Sequence, residues 1–156
     1  RLPESFRTRF YYHTQLVEVV DNNIDMKVFN NNYGFYIIAD QMIFLKPDRK
    51  GGLGIFAQLA ISPRAINTHY RYAGLGLSWQ GLIDRRDEDK LGIAVTNAGF
   101  YDPSKKDETI IEICYKTILT DNIFIQPDFQ YVINPGGTDQ NLKNAIVGFL
   151  RFGINF

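Results

Sequence analysis

The chain has 156 residues, enough for one domain of ordinary size, and its 17 basic and 17 acidic side chains cancel. That balance excludes a bulk electrostatic attraction to nucleic acid or to an anionic membrane surface. One cysteine, Cys114, and two histidines, His13 and His69, exclude a disulfide framework, a paired-cysteine redox or metal motif and a histidine-built metal centre. The chain carries no cofactor signature.

No run of 18 apolar residues occurs, which rules out a transmembrane helix but leaves crossing by strands open. Aromatic residues make up 14% of the chain, with nine Tyr and twelve Phe against one Trp, which is rich for a water-soluble domain. The opening "RLPES" lacks both an initiator methionine and a signal-peptide core, so the chain reads as processed, trimmed or a fragment.

Apolar residues at helical spacing persist nowhere over three turns, and Gly and Pro interrupt the chain too often for long helices. Alternating segments bounded by turn residues predict about eight strands, at 5–13, 33–46, 52–62, 69–82, 90–100, 108–119, 123–133 and 145–156. The first sets Arg7, Arg9 and His13 on one parity. In the third, Leu53, Ile55, Ala57, Leu59 and Ile61 alternate with Gly54, Phe56, Gln58, Ala60 and Ser62. The fourth opposes Ala73, Leu75, Leu77 and Trp79 to Gly74, Gly76, Ser78 and Gln80. In the sixth, Ile111, Ile113 and Tyr115 oppose Glu112, Cys114 and Lys116. The seventh sets Ile125, Phe129 and Tyr131 against Gln126, Asp128 and Gln130. One face is apolar throughout and the other polar or small. Pro127 falls inside the seventh segment, where its missing N–H predicts a bulge or local irregularity.

The connections alternate as well. Short charged turns at 47–51, 83–89 and 120–122 take turns with longer loops at 14–32, 63–68, 101–107 and 134–144. Short turns at one end and long loops at the other are the layout of an outer-membrane barrel, and strands of this length fit a tilted bilayer crossing. The charge run at 84–89 is expected to be a solvated turn. Tyr11, Tyr12, Tyr33, Phe35, Tyr36, Tyr70, Tyr72, Phe100, Tyr101 and Phe156 lie near strand ends, where interfacial girdles sit.

A soluble barrel or sandwich would turn the apolar face inward and solvate the polar one. A membrane barrel reverses this, with lipid on the apolar face and water on the other. The polar face is rich in Gly, Ala and Ser and poor in the long charged residues a soluble surface carries, which favours the membrane barrel. Closure of such a barrel also removes the exposed edge that the apolar final strand, "AIVGFLRFGINF", would otherwise present.

Four stretches carry a family resemblance: "YGFYIIADQ" (33–41), "GLGIFAQLAISP" (52–63), "GLSWQGLIDRRDEDKLGIAV" (76–95) and above all "QPDFQYVINPGG" (126–137). In these the chain resembles the carbohydrate-selective porins of the OprB type, in family order from about residue 33 to the end. The resemblance implies an all-β antiparallel transmembrane barrel of about 16 strands, of which this chain supplies roughly half. Residues 1–156 would then be the C-terminal part of a single barrel domain in the bacterial outer membrane. It further implies passive, selective diffusion of sugars through a water-filled lumen, with no reaction and no cofactor. The implied partners are the transported sugars, outer-membrane lipids, the missing barrel half and, through Phe156, the barrel-assembly machinery.

No nucleophile–base pair and no metal-ligand spacing stands out, and "GGLG" at 51–54 lacks the Lys-Ser/Thr that a phosphate loop needs. Sugar selection instead calls for hydrogen-bonding and charged side chains along a wet wall. By parity the candidates are Arg7, Arg9, Asp40, Gln58, Gln80, Glu112, Lys116, Gln126, Asp128, Gln130 and Arg151. Asp128 and Arg151 stand out because a charge midway along a membrane-crossing strand needs water or a partner. Lys116 and Asp128 are expected to pair across neighbouring strands. Two rivals remain at this point: a complete, closed eight-stranded membrane barrel with a structural or adhesion role, and a soluble lipocalin-like binder.

Overall fold

The computed structural model describes residues 2, 4–14, 16–21, 25–48, 50–102, 104–137 and 142–154. Its strands are β1 (Glu4–His13), β2 (Val17–Asp21), β3 (Asp25–Phe29), β4 (Asn32–Leu45), β5 (Gly52–Ile61), β6 (His69–Gln80), β7 (Lys90–Phe100), β8 (Glu108–Thr120), β9 (Ile123–Ile133) and β10 (Ala145–Ile154). Eight of them form one antiparallel sheet in the order β1-β4-β5-β6-β7-β8-β9-β10. Alternation alone marks all eight, because period-two burial on one face is what a half-covered strand requires. Each boundary agrees with the expected one to within two residues, and residues 155 and 156, including Phe156, lie outside the described residues. The sole helical segment among the described residues is a single 3₁₀ turn, Pro135–Gly137.

Residues 14–32, expected as a loop, contain a separate hairpin in which β2 pairs with β3 from Val17↔Phe29 to Asp21↔Asp25. Its strands, "VEVVD" and "DMKVF", are rich in β-branched residues but only five residues long, too short for periodicity to announce them.

Register shifts fall near strand ends, at Met42/Phe44, His69/Arg71 and Ile118/Thr120. Pro127 produces the expected irregularity on one side only. Its pairing with Leu150 of β10 is continuous, while the β8–β9 ladder skips from Cys114↔Asp128 to Thr117↔Ile125 without changing register. A residue without an N–H can lack a partner on just one flank, and here that flank is β8.

The sheet has no conventional core. Among the described residues only Phe100 and Val132 are buried hydrophobics. The apolar face is bare: Leu59 is 56% exposed, Phe129 58%, Leu150 66% and Ile146 81%. Burying one such side chain is worth about 1.5–3 kcal/mol in water, so a whole face of them left open is tenable only against another apolar medium.

Aromatic placement departs from the expected girdle. Tyr12, Tyr33 and Phe35 do lie on the apolar face at the long-loop end, with Tyr12 opposite Tyr33 and Phe10 opposite Phe35. Tyr11, Tyr36 and Tyr72 have the other parity and share the polar face. Phe100 is buried against His69, with ring centroids 4.5 Å apart. Tyr70 lies under the guanidiniums of Arg64 and Arg71. Strand-end position places a residue near an interface, but parity decides which face it joins.

Candidate functional site

Directly paired residues of antiparallel strands point to the same side, so faces can be followed across the whole sheet. One row runs Ser5, Asp40, Phe56, Gly76, Ala94, Glu112, Gln130, Val147. The row nearest the short turns runs Gly52, Gln80, Lys90, Lys116, and beyond the ladder gap Gln126 lies opposite Arg151. Followed in this way, Arg7, Arg9, Asp40, Gln58, Gln80, Glu112, Lys116, Gln126, Asp128, Gln130 and Arg151 all fall on the polar face.

They do not form one cluster. At the β1 side Arg7 donates to Asp40 at 2.6 Å, with the two side chains 61% and 42% exposed. Arg9 lies opposite Tyr36, and Gln58 lies between Ile38 and Gly74. At the β8–β10 side Gln130 donates to Glu112 at 2.7 Å, and Arg151 donates to Asp128 at 3.2 Å. Between these flanks β5, β6 and β7 present small residues: Gly54, Gly74, Gly76, Ser78, Gly92 and Ala94.

The expected Lys116–Asp128 pair does not form. Cys114, not Lys116, is the residue opposite Asp128, so Lys116 stands one row nearer the short turns. Its Nζ lies 4.0 Å from the Phe124 ring centroid instead, a cation–π contact. Asp128 takes its counter-charge from the other neighbour, Arg151, and is fully buried beneath it. Its Oδ2 accepts from Arg151 while its Oδ1 has no hydrogen-bond partner among the described residues.

That same register brings one ligand atom each of Glu112, Cys114 and Asp128 within 4.8 Å of one another. Spacing along the sequence gave no hint of this group, because the pairing of β8 with β9 creates it. Gln130 and Arg151 already engage its two carboxylates, and the guanidinium opposes cation binding.

The polar face also carries residues that the parity list left out, among them Lys90, Phe56, Tyr11, Tyr36, Tyr72, Phe124 and Phe149. Phe56 and Tyr72 share the parity of Gln58 and Gln80, which is the signal that places them here; Tyr72 is expected in the girdle by its position near a strand end, and Phe56 is not a hydrogen-bonding side chain.

The short-turn end holds a second polar constellation. Residues 84–89 are not uniformly solvated, since Asp89 is only 3% exposed. Its carboxylate accepts from Arg86 Nε at 2.8 Å, Tyr115 Oη at 2.8 Å, Thr117 Oγ1 at 2.9 Å and the Ile118 backbone N–H at 3.0 Å. Burial pushes the Asp89 carboxyl up, but these four donors outweigh it and hold it below the ordinary carboxylate range. Gly81, in the left-handed region at φ 67°, opens the turn and donates its N–H to the Asp89 carbonyl at 2.8 Å. The turn is thereby riveted to the end of β8.

At the opposite end the longer loops tie to one another. Asn32 and Asn67 exchange amide hydrogen bonds at 3.0 Å, Arg71 pairs with Asp107, and Asn134 donates to the Asp107 carbonyl at 3.2 Å.

An eight-stranded antiparallel sheet with a bare apolar face and a charged, hydrogen-bonding opposite face places the chain among the all-β proteins. The family model described as carbohydrate-selective porin, OprB family, matches residues 4–156, and the chain belongs to that family. Among curated relatives, Porin B of Pseudomonas aeruginosa is 24% identical, over all of this chain and 42% of its own length. The high-pH structure of Pseudomonas putida OprB superposes with a TM-score of 0.90 at 23% identity, over 99% of this chain and 45% of that one. The low-pH structure of the same protein gives a TM-score of 0.63 at 18% identity, over 96% of this chain and 46% of that one. The chain therefore spans less than half the length of the relatives it matches.

Proposed function

We propose that this chain is the C-terminal part of a single outer-membrane barrel domain through which sugars diffuse passively and selectively. The observation that carries the reading is the division of faces. Apolar side chains that could not stay exposed to water line one side, and ion pairs and amides line the other. With lipid outside and water inside, both faces are satisfied. The polar face is then the lumen wall, and Arg7, Arg9, Asp40, Gln58, Gln80, Glu112, Lys116, Gln126, Gln130 and Arg151 hydrate it and offer hydrogen bonds to sugar hydroxyls, while Asp128, buried beneath Arg151, holds that guanidinium in place.

In this reading β1 and β10 need neighbours, because an unpaired strand edge in hydrocarbon costs several kcal/mol per backbone group. The remaining strands of a barrel of about 16 would supply them. Outer-membrane lipids contact the apolar face, and the terminal Phe156 addresses the assembly machinery. Transport by diffusion requires neither a reaction nor a cofactor.

Liposome swelling with the intact protein, purified from outer membranes, tests this. Glucose-sized neutral sugars are expected to enter faster than charged solutes of similar size. Inserted, heat-modifiable protein that admits no solute would overturn the proposal and favour a closed barrel.

A further inference from the structure

Of the aromatic side chains that the register puts on the polar face, Phe124 and Phe149 lie against Lys116 and Arg151 at the β8–β10 side, whereas Tyr11, Tyr36, Phe56 and Tyr72 lie together on β1, β4, β5 and β6. Tyr11 covers Gly34, Tyr72 leans over Gly74, and Phe56 lies across Gly76. A Cβ at Gly34 or Gly76 would run into the ring above it, so glycine is what lets these rings lie flat against the strand. Tyr36 stands in the same row as Tyr72, on either side of Ala60. The covered glycines are buried, while Phe56, Tyr36 and Tyr72 remain half-exposed and Tyr11 exposed.

The register gives this group a direction. Successive rows on one face of a strand are about 7 Å apart, so from the Tyr11–Gly34 row near the long loops to the Phe56–Gly76 row the rings cover about 20 Å. Two recesses lie along it. The outer one, about 250 Å³, is lined by Tyr11, Tyr36, Tyr70 and Tyr72. The inner one, about 300 Å³, is bounded by Phe56, Asp40, Ser5, Met42 and Ser78. Asp40 is the direct cross-strand partner of Phe56 and carries Arg7 at 2.6 Å. A flat ring beside an exposed carboxylate–guanidinium pair is complementary to a pyranose, whose axial C–H face is apolar and whose rim is hydroxyls.

We propose that Tyr11, Tyr36, Tyr72 and Phe56 form an aromatic track that guides pyranose rings along the lumen wall from the long-loop end to an inner station at Phe56, Asp40 and Arg7. This rests on the porin reading above and adds the substrate shape it selects: a rigid six-membered ring rather than any small polyol. The rings supply the apolar face, and the ion pair orients the hydroxyls, with Asp40 accepting and Arg7 donating.

The test is flux through the intact protein in liposomes, comparing glucose with mannitol, a linear hexitol of similar size that offers no flat face. Wild type is expected to show glucose flux that saturates with concentration and mannitol flux that does not. Phe56→Ala and Tyr72→Ala are expected to lower glucose flux at low concentration by roughly threefold to tenfold. Mannitol flux should stay unchanged, and Phe56→Trp should retain glucose flux. Equal loss for both solutes means that the rings only shore up the glycine-rich strands, and no loss for either means that they are bystanders; each overturns the track. If wild type passes neither solute, the porin reading itself fails, which is a separate result.

Discussion

Asp128 shows how much a single residue depends on its register. It is fully buried, and its counter-charge is Arg151, 54% exposed and leaning over the Phe149 ring at 5.0 Å. Truncating Arg151 to Ala leaves a buried carboxylate without a cation, which costs about 3–5 kcal/mol. The expected result is a large drop in the temperature at which the folded band is lost on heat-modifiability gels, with much of it restored by adding Asp128→Asn. Asp89 behaves differently because its partners are four donors from a turn and a strand end. Its depressed folded-state pKa means that its stabilisation is fully present above the ordinary carboxylate pKa of about 4 and is lost as pH falls through the lower, folded-state value. Asp89→Asn should therefore weaken the protein at neutral pH, by about 2 kcal/mol, and the gap to wild type should close in acid. Urea titrations at several pH values in detergent would show it; a gap independent of pH would refute the assignment.

At the scale of the element, each strand is an instruction about two environments. In β7, Ile93 faces the apolar side and is 45% exposed, while Thr96 faces the polar side. If lipid covers the first and water the second, Ile93→Arg costs about 2–4 kcal/mol and Thr96→Arg close to nothing. The comparison is made by folding yield into vesicles, and equal penalties would contradict the assignment of faces. Pro127 offers a finer test. Replacing it with Val restores an N–H on the flank where the β8–β9 ladder is interrupted, and a gain of about 1 kcal/mol is expected. The hairpin of β2 and β3 marks the limit of this reasoning. Five-residue strands carry too few alternations for a period to be read, and only pairing defines them.

For the whole molecule, the unmatched feature is the pair of outer strands. The sheet runs from β1 to β10, and these two strands do not pair with each other among the described residues. β1 is exposed along its length, and β10 at every position but Ala145 and Gly153. If the intact barrel supplies neighbours, the amides of β1 and β10 that point away from β4 and β9 should exchange with solvent as slowly as those in the middle of β6. Hydrogen exchange on the intact protein in detergent would report this directly, and fast exchange along either strand would argue against closure through it.

What the sequence determined by itself is the set of eight sheet strands, their faces and the family. Period-two alternation is local, repeated over ten or more residues, and insensitive to which strand lies alongside. The stretch "QPDFQYVINPGG" is likewise readable without coordinates. Parity also sorted the polar candidates onto one face correctly. Which of them meet was decided only by tertiary structure. A shift of two residues keeps every face yet changes every partner, which is why spacing alone pairs Lys116 with Asp128 whereas register gives that place to Cys114 and the charge to Arg151. Burial of Asp89 within a charged turn, and aromatic rings laid over glycines of the polar face, arise the same way. They depend on contacts between segments distant in sequence, and only the assembled sheet brings those together.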